Sequence, residues 1–219
     1  MFSKLHKILI LALSLTFSYL ALSENTIKSL GENWSEASYV LEGNKQEAAF
    51  ENLVKQADRY IKENQKDAKG WIWRGIIKSS FANARGGLGA LSLVKAARKD
   101  LDMAISLDEN SLSGSAHASL GLLYAKVPGW PFGFGSDSEA EKHLVKALVI
   151  NPNGVDPNYF YAEFLFDEKK KYMKAKEYLI KAQNSVPVQI TPLADEERQK
   201  EIVALLIKIE KKINRRKRT

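Results

Sequence analysis

Ser115-Ala-His-Ala-Ser-Leu-Gly-Leu-Leu-Tyr-Ala125 is followed by Val127-Pro-Gly-Trp-Pro-Phe-Gly-Phe-Gly135. Next comes Ser136-Asp-Ser-Glu-Ala-Glu-Lys-His-Leu-Val-Lys-Ala-Leu-Val-Ile150, which Asn151-Pro152 ends. The first block reads as a helix. The second, rich in aromatics, Pro and Gly, reads as a turn. The third opens on Ser136-x2-Glu139, a capping box, and reads as a second helix. The stretch is therefore a helical hairpin.

Related patterns lie on both sides. Asn44-x2-Glu47 is a second capping box. The helix after it carries Phe50, Leu53, Val54, Ala57, Tyr60 and Ile61 on one stripe. Residues 68–83 make the next helix, with Trp71, Ile72, Gly75, Ile76 and Phe81. Arg85-Gly-Gly-Leu-Gly89 breaks it. Residues 90–107 are helical again. Beyond the hairpin, residues 156–169 form an aromatic-rich helix with Pro157 in its first turn, and residues 171–184 form its partner. Thr191 then caps a last helix with Pro192 at its first position. Ile202, Leu205, Leu206, Ile209 and Ile213 give that helix one apolar face. No strand pattern occurs, so the fold class is all-α.

The termini differ from the body. Lys4 and Lys7 precede a charge-free apolar run over residues 8–22, and Ala21-Leu22-Ser23 offers small residues at a cleavage point. These are the parts of a secretory signal peptide. Fifteen helical residues rise about 22 Å, less than the roughly 30 Å hydrocarbon core, which favours cleavage after Ser23 over a retained anchor. The expected location is periplasmic or secreted. The 219 residues include no cysteine, which excludes a lipid-modified cysteine, disulfides, a thiol nucleophile and thiolate metal sites. The formal charge is +7, and seven of its cations lie in residues 208–219, so the body is close to neutral. A basic tail suits a frayed helix end, or weak contact with an anionic membrane surface. Nucleic acid is not an expected partner.

The second helices share Ala-x3-Leu-x2-Ala: Ala97, Leu101, Ala104; Ala140, Leu144, Ala147; Ala175, Leu179, Ala182. Leu53, Ala57 and Tyr60 are a degenerate earlier copy. With Leu120-Gly121-x2-Tyr124 and Pro152, the pattern resembles the tetratricopeptide repeat (TPR). The resemblance covers residues 45–187 and implies a solenoid of three to four helical hairpins. It divides the chain into a signal peptide (1–23), a loosely packed lead-in (24–44) in which Trp34 and Tyr39 dock on the first helix, the repeat array (45–187), a capping helix (188–214) and a basic tail (215–219). Against a 34-residue repeat, the first unit holds about ten extra residues around Asn83–Gly89 and the second about seven in Val127–Gly135. The resemblance places both insertions on one rim. The chain is also similar, more loosely, to the periplasmic T component associated with TRAP transporters, although that component is typically a lipoprotein.

In TPR proteins the first helices line a concave groove. Here that implies Ile72 and Ile76, then Leu122, then Tyr159, Glu163 and Phe166. Either a partner or the chain's own lead-in or final helix fills such a surface. In the turn, Trp130, Phe132 and Phe134 serve as a recognition loop or fold back as a plug; the cost of exposing aromatics tilts the balance to the plug. Arg85-Gly-Gly-Leu-Gly89 lacks the strand and the Lys-Ser/Thr of a phosphate loop. His117 and His143 read as core histidines, with no metal role. Glu139 with Glu141, and Asp167 with Glu168, read as caps and solvated faces rather than acid–base pairs. No catalytic residue, cofactor or metal is expected. The leading expectation is an exported, non-enzymatic scaffold that binds an envelope protein, with a solute-binding or transport component implied by the resemblance. The alternative is a carrier of a small apolar or amphipathic ligand in the groove.

Overall fold

A computed structural model describes residues 24, 26–186 and 191–216. The expected signal peptide, its cleavage point, residues 187–190 and the last three residues of the basic tail lie outside the described residues. Among the described residues there is no strand, and no helix is long and apolar enough to cross a membrane. The helices are α1 (26–39), α2 (Gly43–Glu63), α3 (Ala68–Arg85), α4 (Gly87–Asp108), α5 (Ser115–Lys126), α6 (Asp137–Ile150), α7 (Val155–Asp167), α8 (Tyr172–Gln183) and α9 (Pro192–Arg216). A short 3-10 turn, Ser111–Gly114, joins α4 to α5.

From α2 onward each helix packs on the next. In addition α3 touches α5, α5 touches α7 and α7 touches α9. The first helices therefore form an inner layer, and α4, α6 and α8 stand outside it. The Ala-x3-Leu-x2-Ala register explains why. All nine of its residues, from Ala97 to Ala182, are fully buried. A side chain on Gly75 would stand 2.8 Å from Leu101 Cγ, and one on Gly121 would stand 2.6 Å from Leu144 Cγ. Leu101 and Leu144 thus each enter a notch that the missing Cβ leaves open. In the last hairpin Ala162 and Leu179, both fully buried, hold the corresponding places.

Polar groups set the ends. Ser136 Oγ accepts from Glu139 N at 3.3 Å, and Thr191 Oγ1 accepts from Ala194 N at 3.1 Å, as the capping patterns predict. Asp100, 4 % exposed, accepts two hydrogen bonds from Arg74 and one from Lys78, which ties α4 to α3.

Three expectations change. The lead-in is not loose: α1 buries Ile27, Leu30 and Ala37 against Phe50, Leu53, Trp73, Ile77 and Phe81. It forms a hairpin with α2, and Leu30-Gly31-x2-Trp34 repeats the Leu120-Gly121-x2-Tyr124 pattern. Trp34 packs against the cluster formed by α2 and α3, at 6.0 Å from Trp73 of α3. The Asn44 box does not form. α2 starts two residues earlier, after Glu42, with no side-chain cap, and Gln46 Nε2 instead donates to the Ala37 carbonyl at 2.9 Å. The extra residues around Asn83–Gly89 make no long loop either. They lengthen α3 and α4, and the chain turns at Gly86 and Gly87, whose φ values of 62° and 57° favour glycine.

The notch makes a coupled prediction. Leu144→Ala should lower stability by about 2–5 kcal/mol, and Gly121→Ala alone by about 1–3 kcal/mol through overpacking. Together they should cost less than the sum, because the new methyl fills space that the leucine vacates. Urea titration of the four proteins in this cycle checks it; strict additivity would contradict the notch.

Candidate functional site

The expected groove residues do not share one open surface. Ile72 is fully buried among Ala97, Leu101, Ala116 and Leu120. Ile76 is half-buried between two core clusters. Tyr159 is buried, with the Arg198 guanidinium 4.5 Å over its ring. Glu163 pairs with Lys126 at 3.2 Å, Phe166 packs 5.5 Å from Tyr172, and Leu122 is half-buried.

Ile72 is covered by α4 and α5; α1 and α9 act at the two ends of the array. Trp34 Nε1 donates to Ser80 Oγ on α3 at 2.9 Å. One residue on, Ser35 Oγ lies 2.6 Å from Thr191 Oγ1 at the start of α9. The proton order follows from the partners. Thr191 Oγ1 accepts from Ala194 N, and Ser35 Oγ donates to the Gly31 carbonyl at 2.9 Å, so Thr191 must donate to Ser35. Through these adjacent residues α1 links α3 to the cap of α9. On α9, Arg198 stacks on Tyr159 and Phe160, pairs with Asp156 at 2.8 Å and bonds Glu201. Burial works against its charge, but Asp156 and Glu201 overcome it and hold the guanidinium above its ordinary value. Burial likewise raises the Tyr159 and Tyr39 phenols and the Glu201 carboxyl. This corner is a closed structural network, not an open carboxylate pair.

The open feature is the α5–α6 loop. Val127 N–H donates to the Leu123 carbonyl and ends α5. Phe132 N and Gly133 N both donate to the Gly129 carbonyl, Gly135 N to Pro128, and Ser136 N to Tyr124. The Trp130–Pro131 peptide is cis. A Cβ on Gly133 would stand 2.3 Å from Pro128 O, and one on Gly135 would stand 1.8 Å from Val127 O, so the loop closes only on glycine. The three aromatics divide. Phe134 folds back, edge-on to Tyr124 at 5.4 Å, with the Arg98 guanidinium over both rings. Trp130 and Phe132 point outward, 90 % and 75 % exposed. The expected plug is therefore Phe134 alone.

The loop lies on one edge with other turns. Lys126 at its base bonds Asp167 at 2.9 Å, and Lys169 bonds Asp137 at 3.0 Å. Arg216, at the end of α9, lies over Tyr172. Loop, α7–α8 turn and the basic end of α9 thus form a continuous rim, whereas the α3–α4 insertion adds no loop to it.

Two features were not anticipated. An open cleft of about 470 Å³ lies between α2, α3 and α4, lined by Asp58, Ile61, Lys62, Gln65, Trp71 and Met103. His117 and His143, read from the sequence as separate core residues, touch each other. Among the described residues no cluster of three or more His, Asp or Glu is arranged to hold a metal. No protein-family model matches the chain, and no curated protein matches it.

The clasp between α1 and α9 is testable. Ser35→Ala leaves the buried Thr191 hydroxyl without its acceptor and should cost about 1–3 kcal/mol. Urea unfolding measures the loss; a change below about 0.5 kcal/mol, the usual range for a surface position, would contradict the clasp.

Proposed function

We propose that this chain is an exported, non-enzymatic helical scaffold of the TPR kind that binds a protein partner through the rim of the α5–α6 loop. The observation that carries the reading is the presentation of Trp130 and Phe132. They are the most exposed of the described aromatic side chains, yet they stand on a loop pinned by four backbone hydrogen bonds. Large aromatics held outward at low conformational cost are the residues that dominate protein interfaces. Their loop also has the surface position that recognition segments occupy.

The hairpin repeat supports the scaffold half of the reading. Four stacked pairs and a final helix provide a frame in which one inter-helix loop can be enlarged without disturbing the notches. The resemblance to the transporter-associated T component makes a solute-binding or transport protein of the cell envelope the partner of choice. The groove is not the surface in this reading, because Ile72 and Tyr159 within it are buried.

A photo-crosslinking side chain at position 130 or 132, in the producing cell, should yield one adduct of fixed mass. The same group at Ile207, which is 63 % exposed on α9, should not. Trp130→Ala with Phe132→Ala should weaken retention of that adduct's protein at least ~10-fold, with stability changed by less than about 0.5 kcal/mol. Full retention by the double variant would rule out the rim.

A further inference from the structure

Two histidines meet beneath the aromatic loop. His117 on α5 and His143 on α6 bring their Nδ1 atoms to 2.9 Å, with ring centroids 5.1 Å apart. Both side chains are largely buried, at 8 % and 14 % exposure. A contact of this length is a hydrogen bond and needs one proton and one lone pair. The Nε2 atoms face carboxylates instead: His117 toward Glu109 at 3.6 Å and His143 toward Glu139 at 3.9 Å.

The protons can be counted. Two neutral rings carry two protons on four nitrogens, and one sits in the Nδ1 contact. A third finds a place on the remaining Nε2, so that both Nε2–H groups face carboxylates. A fourth has no place. It sets two N–H groups head to head across 2.9 Å, in a site too buried for water to screen them.

The surroundings oppose a second charge. Lys142 and Lys146 on α6 act against protonation, and Arg98 on α4 lies over the Tyr124 ring that stacks on His143. Glu109, Glu139 on α6 and Asp102 on α4 favour it. Burial is the largest influence and lowers both imidazoles below their ordinary value; the His117 charge adds to this at His143. The unfolded chain then binds more protons than the native one below about pH 6.5, so stability falls as pH drops through that point.

This pair is joined to the loop through one residue. Tyr124 stacks on His143 at 5.7 Å and an interplanar angle of 6°, and Phe134 meets the same ring edge-on. The Tyr124 carbonyl also accepts from Ser136 N at 3.0 Å, the bond that closes the loop.

We propose that the His117–His143 contact is a proton-operated latch on the aromatic loop. With up to three ring protons it holds α5 to α6. The fourth parts the rings, moves Tyr124 and frees the loop that presents Trp130 and Phe132. The latch takes its significance from the reading of that loop as the binding site, but it can be observed without a partner.

Amide hydrogen exchange at about pH 7 and about pH 4.5, corrected for intrinsic rates, tests it. Protection at Gly133, Gly135 and Ser136 should fall at least ~10-fold at the lower pH in the native chain, while Leu165 on α7 stays protected. In His143→Gln, whose amide bonds His117 without a second titration, the change at the loop should stay within about two-fold. His117→Gln serves as the reciprocal variant if the first does not fold. Ring-nitrogen NMR of the native chain adds a readout that needs no variant: the pair should titrate in two well-separated steps. Unchanged loop protection, equal loss in the native chain and the variants, or independent titration of both rings near pH 6.5 would overturn the latch. A pH-responsive loop whose Trp130 and Phe132 substitutions leave crosslinking intact would instead fault the binding reading and spare the latch.

Discussion

The isobutyl group of Leu144 occupies the place where a side chain at Gly121 would stand. Leu101 does the same at Gly75. A leucine in a glycine notch brings two helix backbones close together and fixes their register, because sliding by one residue would drive the leucine into a Cβ. It also leaves the flanks of each first helix uncovered. A hairpin built this way needs its neighbour, which is why α3, α5, α7 and α9 contact one another in series. The two ends of such a series have no neighbour. Here α1 and α9 act as covers, and the array is closed by the hydroxyl pair Ser35 and Thr191, 156 residues apart.

Closure decides what is left for binding. Ile72 is buried within the array itself, among residues of α4 and α5. Tyr159 is buried under Arg198 of α9, and that corner becomes a network of satisfied charges. The part of the chain that escapes the packing is the α5–α6 loop, where Gly133 and Gly135 allow a tight return and Phe134 anchors the base. Trp130 and Phe132 are exposed because the loop is ordered, not because it lacks contacts. The histidine pair lies where that anchor meets the helices, so the exposed aromatic loop and the histidine contact share a single tyrosine.

The hairpins were legible because notch packing demands residue types at fixed spacing. Ala140, Leu144 and Ala147 are small or leucine for a reason that any turn of the helix would repeat. The caps at Ser136 and Thr191 were legible for the same kind of local reason. α1 was missed because Gly31 and Gly43 read as loop punctuation, although Leu30-Gly31-x2-Trp34 carries the same notch pattern as Leu120-Gly121-x2-Tyr124. The sequence does not decide between an open and a filled groove: whether Tyr159 faces a partner or Arg198 depends on where α9 docks. The division of the three aromatics depends on Arg98, which lies on another hairpin. The histidine contact joins two helices through side chains 26 residues apart that each look ordinary alone.

The clasp is the claim on which the closure of the array depends. Because the chain contains no cysteine, Ser35→Cys with Thr191→Cys introduces the only two thiols. Mild oxidation of the folded protein should join them in high yield as an intramolecular bond, seen as a faster band on a non-reducing gel that reverts with reductant, with helicity unchanged. If both thiols stay free and react with a bulky reagent at the rate of the unfolded chain, α1 does not meet the start of α9, and the array is not closed.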